Sequence, residues 1–210
     1  SFQSGDIPFA LFGPQNNQGS LEPFAQAAIE ESIVQRLGCN RFVYGWLDTY
    51  AKGIERRAKE VQAGRFDAKN VDIDAMYGVG TTEYMRSKGG WAITLECGQH
   101  DDINGREVAY QAIINTLILT GLIAGPTPSP AKDPQVLGLY DVFDRFHTDD
   151  TFASPWKSFD VIAKDELIGT RADGTEIKAD QDCLIVFPNM KSQPGQEWFY
   201  LAREGGRLGY

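Results

Sequence analysis

The feature that most constrains the fold is a proline-rich break near the middle of the chain. Residues 125–130 read Gly-Pro-Thr-Pro-Ser-Pro, with three prolines at alternate positions. Proline fixes its own φ angle and lacks a backbone N–H, so this segment predicts a semi-rigid linker. The apolar pattern differs on its two sides. We therefore predict a partial α/β catalytic domain over 1–125, a linker over 126–130 and a β domain over 131–210.

The region before the linker alternates between strand-like and helix-like segments. It predicts strands over 7–12, 41–46 and 91–95 and helices over 21–37, 83–88 and 106–123. Ser20 is a suitable N-cap for the first helix. The segment 53–61 fits either a charged helix or a solvated loop. Alternation of this kind indicates an α/β sheet layered with helices.

The region after the linker carries short apolar runs separated by turn residues. It predicts strands over 136–143, 159–163, 166–170, 176–179, 184–187 and 198–202. Asp173-Gly174 lies between two of these runs, and this dipeptide favours the backbone angles of a tight hairpin turn. The pattern indicates a small all-β barrel or sandwich.

Charge and cysteine content exclude several classes of protein. The net charge is -9, which argues against binding to nucleic acid or to anionic membranes. The longest apolar run, 112–124, is shorter than the ~20 residues of a membrane span. The three cysteines form no Cys-x-x-Cys pair, which predicts reduced thiols in a cytoplasmic protein rather than a disulfide scaffold or a cysteine zinc site.

Glu96 is the main candidate for chemistry. It follows the run Trp91–Leu95, whose residues are apolar on both faces, as in a central strand of an α/β sheet. Ligands bind beyond the carboxyl ends of strands in such sheets. An apolar environment raises the pKa of a carboxyl group, which suits general acid/base catalysis. The alternative is a glutamate that simply begins a loop.

The segment around Glu96 resembles a known family. Residues 94–98 read Thr-Leu-Glu-Cys-Gly, follow Gly89-Gly90 and precede the helix over 106–123. They resemble the succinylglutamate desuccinylase/aspartoacylase family of the zinc carboxypeptidase clan. The resemblance continues into 154–160, 171–176 and 197–202, which are similar to the β domain of many bacterial members. It implies an incomplete zinc-carboxypeptidase-like mixed sheet with flanking helices, followed by the small β domain.

The resemblance also implies an activity. It implies a zinc-dependent hydrolase that cleaves an amide or ester bond of an N-acyl amino acid or a similar small substrate, with Glu96 as general acid/base. That family holds zinc with an early His-x-x-Glu pair and a later histidine, whereas this sequence has only His100 and His147 and no His-x-x-Glu. We therefore expect zinc ligands upstream of residue 1, in a chain that begins just after the last of them. The chain alone is then expected to be inactive.

The same resemblance suggests a role for Arg86. This residue precedes Glu96 by ten positions, and family members place a substrate-binding arginine at a similar offset. A guanidinium suits bidentate capture of a substrate carboxylate. The alternative is a solvated arginine on a helix.

Three other interpretations remain open. Cys97 and His100 form a Cys-x-x-His, either a nucleophile and its base or a buried thiol beside a loop histidine. Met190-Lys191 is similar to the modified lysine of biotinyl or lipoyl carriers, although its flanking residues do not match. A non-catalytic binding module is the third alternative.

The partner we expect is a small acyl-amino-acid-like molecule. A homo-oligomer is also possible.

Overall fold

The computed structural model describes residues 7–15, 24–69, 71–98 and 102–209. Ser20 and His100, both named above, lie outside the described residues. The α-helices are α1 (Ala27–Val34), α2 (Trp46–Gln62), α3 (Thr81–Ser87) and α4 (Gly105–Leu119). The strands are β1 (Phe9–Leu11), β2 (Arg41–Tyr44), β3 (Thr94–Glu96), β4 (Gln135–Asp144), β5 (Thr151–Phe152), β6 (Val161–Ile162), β7 (Leu167–Thr170), β8 (Glu176–Lys178), β9 (Cys183–Val186) and β10 (Glu197–Glu204). Short 3₁₀ helices cover Ala75–Gly78 and Arg207–Gly209.

The strands form one mixed sheet and one small antiparallel sheet. The order of the seven-stranded sheet is β3-β1-β2-β4-β10-β9-β6, and that of the three-stranded sheet is β5-β7-β8. Strand β2 pairs in parallel with both β1 and β4, whereas β3 pairs with β1 in the antiparallel direction. This mixed α/β architecture confirms the α/β part of the predicted fold class.

The chain divides into two compact units. The first, which we call the Glu96 unit, comprises Phe2–Trp46, Val79–Gly138 and Glu204–Tyr210. The second, which we call the β10 unit, comprises Leu47–Gly78 and Leu139–Arg203. Within the described residues, no helix is both long enough and apolar enough to span a membrane.

The core of the Glu96 unit forms on β1 and β2. The register places Ala10 opposite Phe42, and all of Phe9, Ala10, Phe42 and Val43 are fully buried. Strands that are buried on both faces read as continuous apolar runs, which is why these segments were recognisable in the sequence. Further core residues come from α1, from the segment just after it, and from α4 and β4: Ile33, Val34, Leu37, Ala112 and Val136.

The β10 unit includes a helix that the sequence left ambiguous. The segment 53–61 belongs to α2, which contacts β4: the hydroxyl of Thr49 donates to the carbonyl of Leu139 at 3.1 Å. A Cβ on Gly53 would lie 2.9 Å from the side chain of Val142, so a larger residue here would force the helix or that side chain to shift. Because α2 shares a compact unit with the strands that follow the linker, a separate all-β domain is not confirmed.

The hairpin prediction is confirmed. Strands β7 and β8 pair in the antiparallel direction, with Thr170 opposite Glu176. Gly174 between them has φ 88°, a conformation that L-residues rarely adopt. The short strand β5 was not predicted, because two residues carry too little periodicity to be recognised.

Two sequence-based strand assignments require correction. The predicted strand 41–46 ends at Tyr44, because Gly45 has φ 88° and Trp46 begins α2. The apolar run Trp91–Leu95 predicted a central strand, yet β3 is the terminal strand in the order of the sheet that the described residues form. An apolar pattern indicates that a strand can be buried, but it does not indicate where in the sheet the strand lies.

Candidate functional site

Glu96 lies at the end of β3, as the sequence predicted for a strand-end carboxylate. It is half-buried and is opposite Phe9 of β1 in the antiparallel register. Gly98 follows with φ 103°, so the chain leaves the strand through a backbone conformation that favours glycine. The carboxylate is therefore carried by a strand of the main sheet, two residues before a bend at Gly98.

The two faces of β3 carry different chemistry. Trp91, Ile93, Leu95 and Cys97 line an apolar groove of about 390 Å³ together with residues of α1 and α4. Successive side chains of an extended segment point to opposite faces. Glu96 is therefore on the face of β3 opposite to the groove. If Glu96 acts as an acid/base group, its substrate must bind on that face of β3.

Cys97 does not have the properties of an activated nucleophile. Its Sγ lies 3.9 Å from the carbonyl oxygen of Leu95. Partial burial, and secondarily the nearby charge of Glu96, raise the pKa of the Cys97 thiol. A thiol with a raised pKa is protonated at neutral pH and is a poor nucleophile. This weakens the cysteine-hydrolase interpretation, whose proposed base, His100, is outside the described residues.

Arg86 is buried in a network of ion pairs. It is 3% exposed, and its Nε donates to both carboxylate oxygens of Glu30 at 3.2 and 3.1 Å. Its two terminal nitrogens donate to Glu83 at 3.3 Å and to the carbonyl of Ala92 at 2.6 Å. The interpretation of Arg86 as a solvated arginine is therefore wrong. Its substrate-binding role remains a prediction.

Glu30 is the residue of this network that sequence reasoning missed. It is 1% exposed and also accepts hydrogen bonds from the backbone N–H groups of Gly13 and Ala92. The available signal was its position: α1 buries Ala27, Glu30, Ile33 and Val34, which follow helical spacing. A glutamate at that spacing on the buried face of a helix needs a partner inside the protein.

Arg86 and Glu96 are carried by different elements: Glu96 ends β3, whereas Arg86 lies in α3. Arg86 holds the carbonyl of Ala92, four residues before Glu96.

The donors for zinc do not come together among the described residues. No group of three or more His, Cys, Asp or Glu side chains is placed there to hold a metal ion. His147 is exposed in the β10 unit, with its Nδ1 3.5 Å from the carboxylate of Asp149. The side chains of the described residues therefore do not fit a zinc site, and zinc would have to be held by other residues.

Lys191, the candidate for carrier modification, is exposed in a turn of the β10 unit. Its backbone N–H donates to the side chain of Asn189 at 3.0 Å. Arg145 donates to the carbonyls of Met190 and Ser192 on either side, at 3.2 and 3.0 Å. The turn is held by these hydrogen bonds, and the modification itself remains untested.

Comparison with known proteins identifies the fold. The sequence matches no family model and no curated protein. Solved structures do match: succinylglutamate desuccinylase from Vibrio cholerae aligns with a TM-score of 0.62 and 16% identity, over 96% of this chain and 50% of that chain. The enzyme of the same name from Vibrio parahaemolyticus gives a TM-score of 0.60 and 13% identity, over 96% and 50%. This chain has the succinylglutamate desuccinylase/aspartoacylase fold.

A third structure extends the comparison. The product-bound ectoine utilization protein EutE (DoeB) from Ruegeria pomeroyi aligns with a TM-score of 0.57 and 16% identity, over 93% of this chain and 53% of that chain. The present chain thus spans about half the length of these structures. These structures confirm the fold that the resemblance around Glu96 implied.

Proposed function

We propose that this chain forms the acid/base part of a zinc-dependent deacylase. The observation that carries the proposal is that the half-buried carboxylate of Glu96 ends a sheet strand in a chain that shares its fold with succinylglutamate desuccinylases at a TM-score of 0.62. The substrate would be an N-acyl amino acid or a similar small acyl amide or ester. The zinc ligands would lie outside the described residues.

In this proposal Glu96 transfers one proton. Its carboxylate accepts a proton from the water whose oxygen bonds to the acyl carbon, and then donates that proton to the leaving amine as the C–N bond breaks. The products are a carboxylate and a free amine. Positioned general acid/base groups accelerate such reactions by about 10²–10⁴-fold. A half-buried position keeps the carboxyl group accessible to substrate.

Arg86 is a possible substrate anchor in the same proposal. In the structure its guanidinium binds Glu30, so a substrate carboxylate would have to take the place of that partner. Its other described bonds, to Glu83 and Ala92, fix the position of the guanidinium.

The cytoplasm is the proposed location, since Cys39, Cys97 and Cys183 are all free thiols.

The test compares Glu96→Gln with the wild type in the longest natural protein that contains this chain. Hydrolysis of N-succinylglutamate and N-acetylaspartate would be followed by amine release, and bound metal by elemental analysis. We expect turnover to fall by about 10²-fold or more with unchanged zinc content, because Glu96 transfers a proton and does not bind the metal. Glu107→Gln, at an exposed position of α4, is the matched control.

The alternative functions predict different results. Zinc loss from Glu96→Gln, or full retention of turnover, would refute the assigned role. Activity that survives chelation but is lost in Cys97→Ala would indicate a cysteine hydrolase, and a mass increase on Lys191 would indicate a carrier. Binding of the acyl amino acid without hydrolysis would indicate a binding module. The 210-residue chain alone is expected to show no turnover.

A further inference from the structure

The ladder that joins β1 to β3, the strand of Glu96, is only three residue pairs long. Its last pair joins Leu11 to Thr94. Continued by two positions, the same register places Gly13 opposite Ala92. Strands of globular proteins typically have about five to six residues, so three pairs give β3 a short hold on β1. The position of Glu96 therefore depends on what joins the two segments beyond this ladder.

The backbone N–H of Gly13 points toward the β3 segment. Along an extended strand, successive N–H groups point alternately to the two neighbouring strands. The N–H of Phe12 donates to the carbonyl of Val43 in β2 at 3.0 Å. The N–H of Gly13 is therefore directed to the other side of β1, where β3 lies. In a longer ladder, Gly13 and Ala92 would exchange backbone hydrogen bonds directly.

A buried ion pair takes the place of that exchange. The carboxylate of Glu30 accepts hydrogen bonds from the N–H groups of both Gly13 and Ala92, the second at 3.0 Å. The guanidinium of Arg86 binds the same carboxylate and donates to the carbonyl of Ala92 at 2.6 Å. Arg207 donates to the remaining group, the carbonyl of Gly13, at 2.7 Å. We call the arrangement of Glu30 and Arg86 between Gly13 and Ala92 the ion-pair rung.

The absence of a side chain at Gly13 makes space for the ion-pair rung. A Cβ at this position would lie 2.5 Å from Nε of Arg86, which is too close for two non-bonded atoms. Glu30 and Arg86 are 1% and 3% exposed, so loss of either partner would leave an uncompensated charge inside the protein. The buried pair therefore holds the ends of the β1 and β3 segments in one arrangement.

We propose that Glu30 is a positioning residue for Glu96, because the ion-pair rung fixes the register of β3 against β1. A slip of one residue would turn every side chain of β3 to the opposite face. Glu96 would then face the apolar groove that Leu95 lines, and not the face on which it is proposed to act. Even a displacement of about 1 Å can slow an enzyme by about 10²-fold. The effect on turnover rests on the proposed function, whereas the effect on the register does not.

Glu30→Gln tests the register first, in the longest natural protein that contains this chain. The amide keeps the size of the side chain but has a single acceptor oxygen, so it cannot offer one oxygen to each N–H group. Hydrogen exchange in peptides covering 9–13 and 91–96 should accelerate by about tenfold or more. Glu83→Gln is the matched control, because Glu83 binds the same guanidinium at 3.3 Å from outside the rung. It should leave exchange in both peptides as in the wild type.

Kinetics then separate positioning from substrate binding. With N-succinylglutamate and N-acetylaspartate as substrates, Glu30→Gln should lower kcat by about tenfold or more and leave KM nearly unchanged. In the Glu96→Gln background, Glu30→Gln should cause no further loss of kcat, because the group that it misplaces no longer transfers a proton. Gly13→Ala keeps every charge but displaces the guanidinium of Arg86, and it should also lower kcat. This variant remains informative if Glu30→Gln does not fold.

Three results would overturn the proposal. The first is unchanged hydrogen exchange in both peptides of Glu30→Gln, and the second is an additive loss of kcat in the double variant. The third is a raised KM at unchanged kcat, which would mean that Glu30 orients Arg86 as a substrate anchor instead. Full turnover in Glu96→Gln together with faster exchange in Glu30→Gln would refute the proposed reaction, but it would support the control of the register by Glu30.

Discussion

Strands β10 and β3 carry similar apolar runs but differ in burial. The run Trp198–Ala202 in β10 is at most 2% exposed at every position, whereas the residues from Trp91 to Leu95 are only partly buried. Strand β10 lies between β4 and β9 in the sheet, and β3 has a described neighbour only in β1. The residue types of a strand therefore determine how much apolar area it can bury. The neighbouring strands determine how much of that area is buried.

The two strands also differ in what holds them. The rings on β10 pack against other rings: Phe143 and Phe199 stack with centroids 4.8 Å apart, and Phe152 lies 4.5 Å from Trp198. The segment that enters β3 is held at Ala92, whose backbone bonds to the buried side chains of Arg86 and Glu30. Ring packing therefore holds the aromatic residues of β10, and buried polar contacts hold Ala92, just before β3.

The largest expected effect tests the apolar side of this comparison. Phe199→Ala should lower the free energy of unfolding by about 3–5 kcal/mol, because it removes a fully buried ring and leaves a cavity. Urea denaturation would measure the change. Val161→Ala in β6, where the side chain is 75% exposed, is the control and should change stability by less than about 0.5 kcal/mol. A loss below about 1 kcal/mol for Phe199→Ala would show that this core is not well packed.

The next prediction tests the polar contacts at β3. Arg86→Ala should lower the free energy of unfolding by roughly 3 kcal/mol, because it leaves the carboxylate of Glu30, 1% exposed, without its buried cation. The value is at the low end for a broken buried pair because the N–H groups of Gly13 and Ala92 still donate to Glu30. Arg106→Ala is the exposed control. Equal denaturation midpoints for the two variants would contradict the structural role of Arg86.

The sequence was sufficient to predict elements whose periodicity is strong. The buried strands β1 and β9, the helix α4 and the hairpin at Asp173-Gly174 appear close to where they were expected. Each depends on local signals, namely apolar runs, helical spacing and turn residues. Glu96 at a strand end was predictable for the same reason.

Features that depend on distant residues were not predictable in this way. The partnership of Glu30 with Arg86 joins residues 56 positions apart, and Thr49 of α2 bonds to Leu139 of β4, 90 positions later. The terminal position of β3 is also a property of the whole sheet. Spacing within a short window carries no information about such contacts, so only a resemblance or a structure could supply them.

A smaller effect concerns a carboxylate of the β10 unit. Asp150 is 2% exposed and accepts hydrogen bonds from the N–H groups of Phe146 and Ala172 and from Arg171, at 2.7, 2.9 and 2.9 Å. Burial opposes ionisation, but these donors outweigh it and hold the pKa of Asp150 below its usual value of 3.8. The stability it contributes is present above the unfolded pKa and is lost as pH falls through the folded pKa.

Asp150→Asn should therefore destabilise the protein by about 2 kcal/mol at pH 7, the typical value for hydrogen bonds to a charged group. As the pH falls from 7 to below the usual pKa of 3.8, the difference between variant and wild type should shrink, because protonated Asp150 no longer offers a charged acceptor. Urea titrations across this range would measure it. Asp149→Asn, with a carboxylate that is 79% exposed, is the control. A pH-independent difference would mean that Asp150 acts through packing and not through its charge.

The smallest effect is the most direct test of the difference between the two strands. Leu95→Ala should cost only about 1 kcal/mol in the 210-residue chain, since Leu95 is partly exposed beside the groove. If a further polypeptide covers that groove, the same change should cost about 2–3 kcal/mol in the longer protein, where the side chain is fully buried. Urea denaturation of both proteins, each with and without Leu95→Ala, gives the comparison. A cost of 3 kcal/mol or more in the shorter chain would mean that Leu95 is already as well packed as the side chains of β10, and it would contradict the contrast between the two strands.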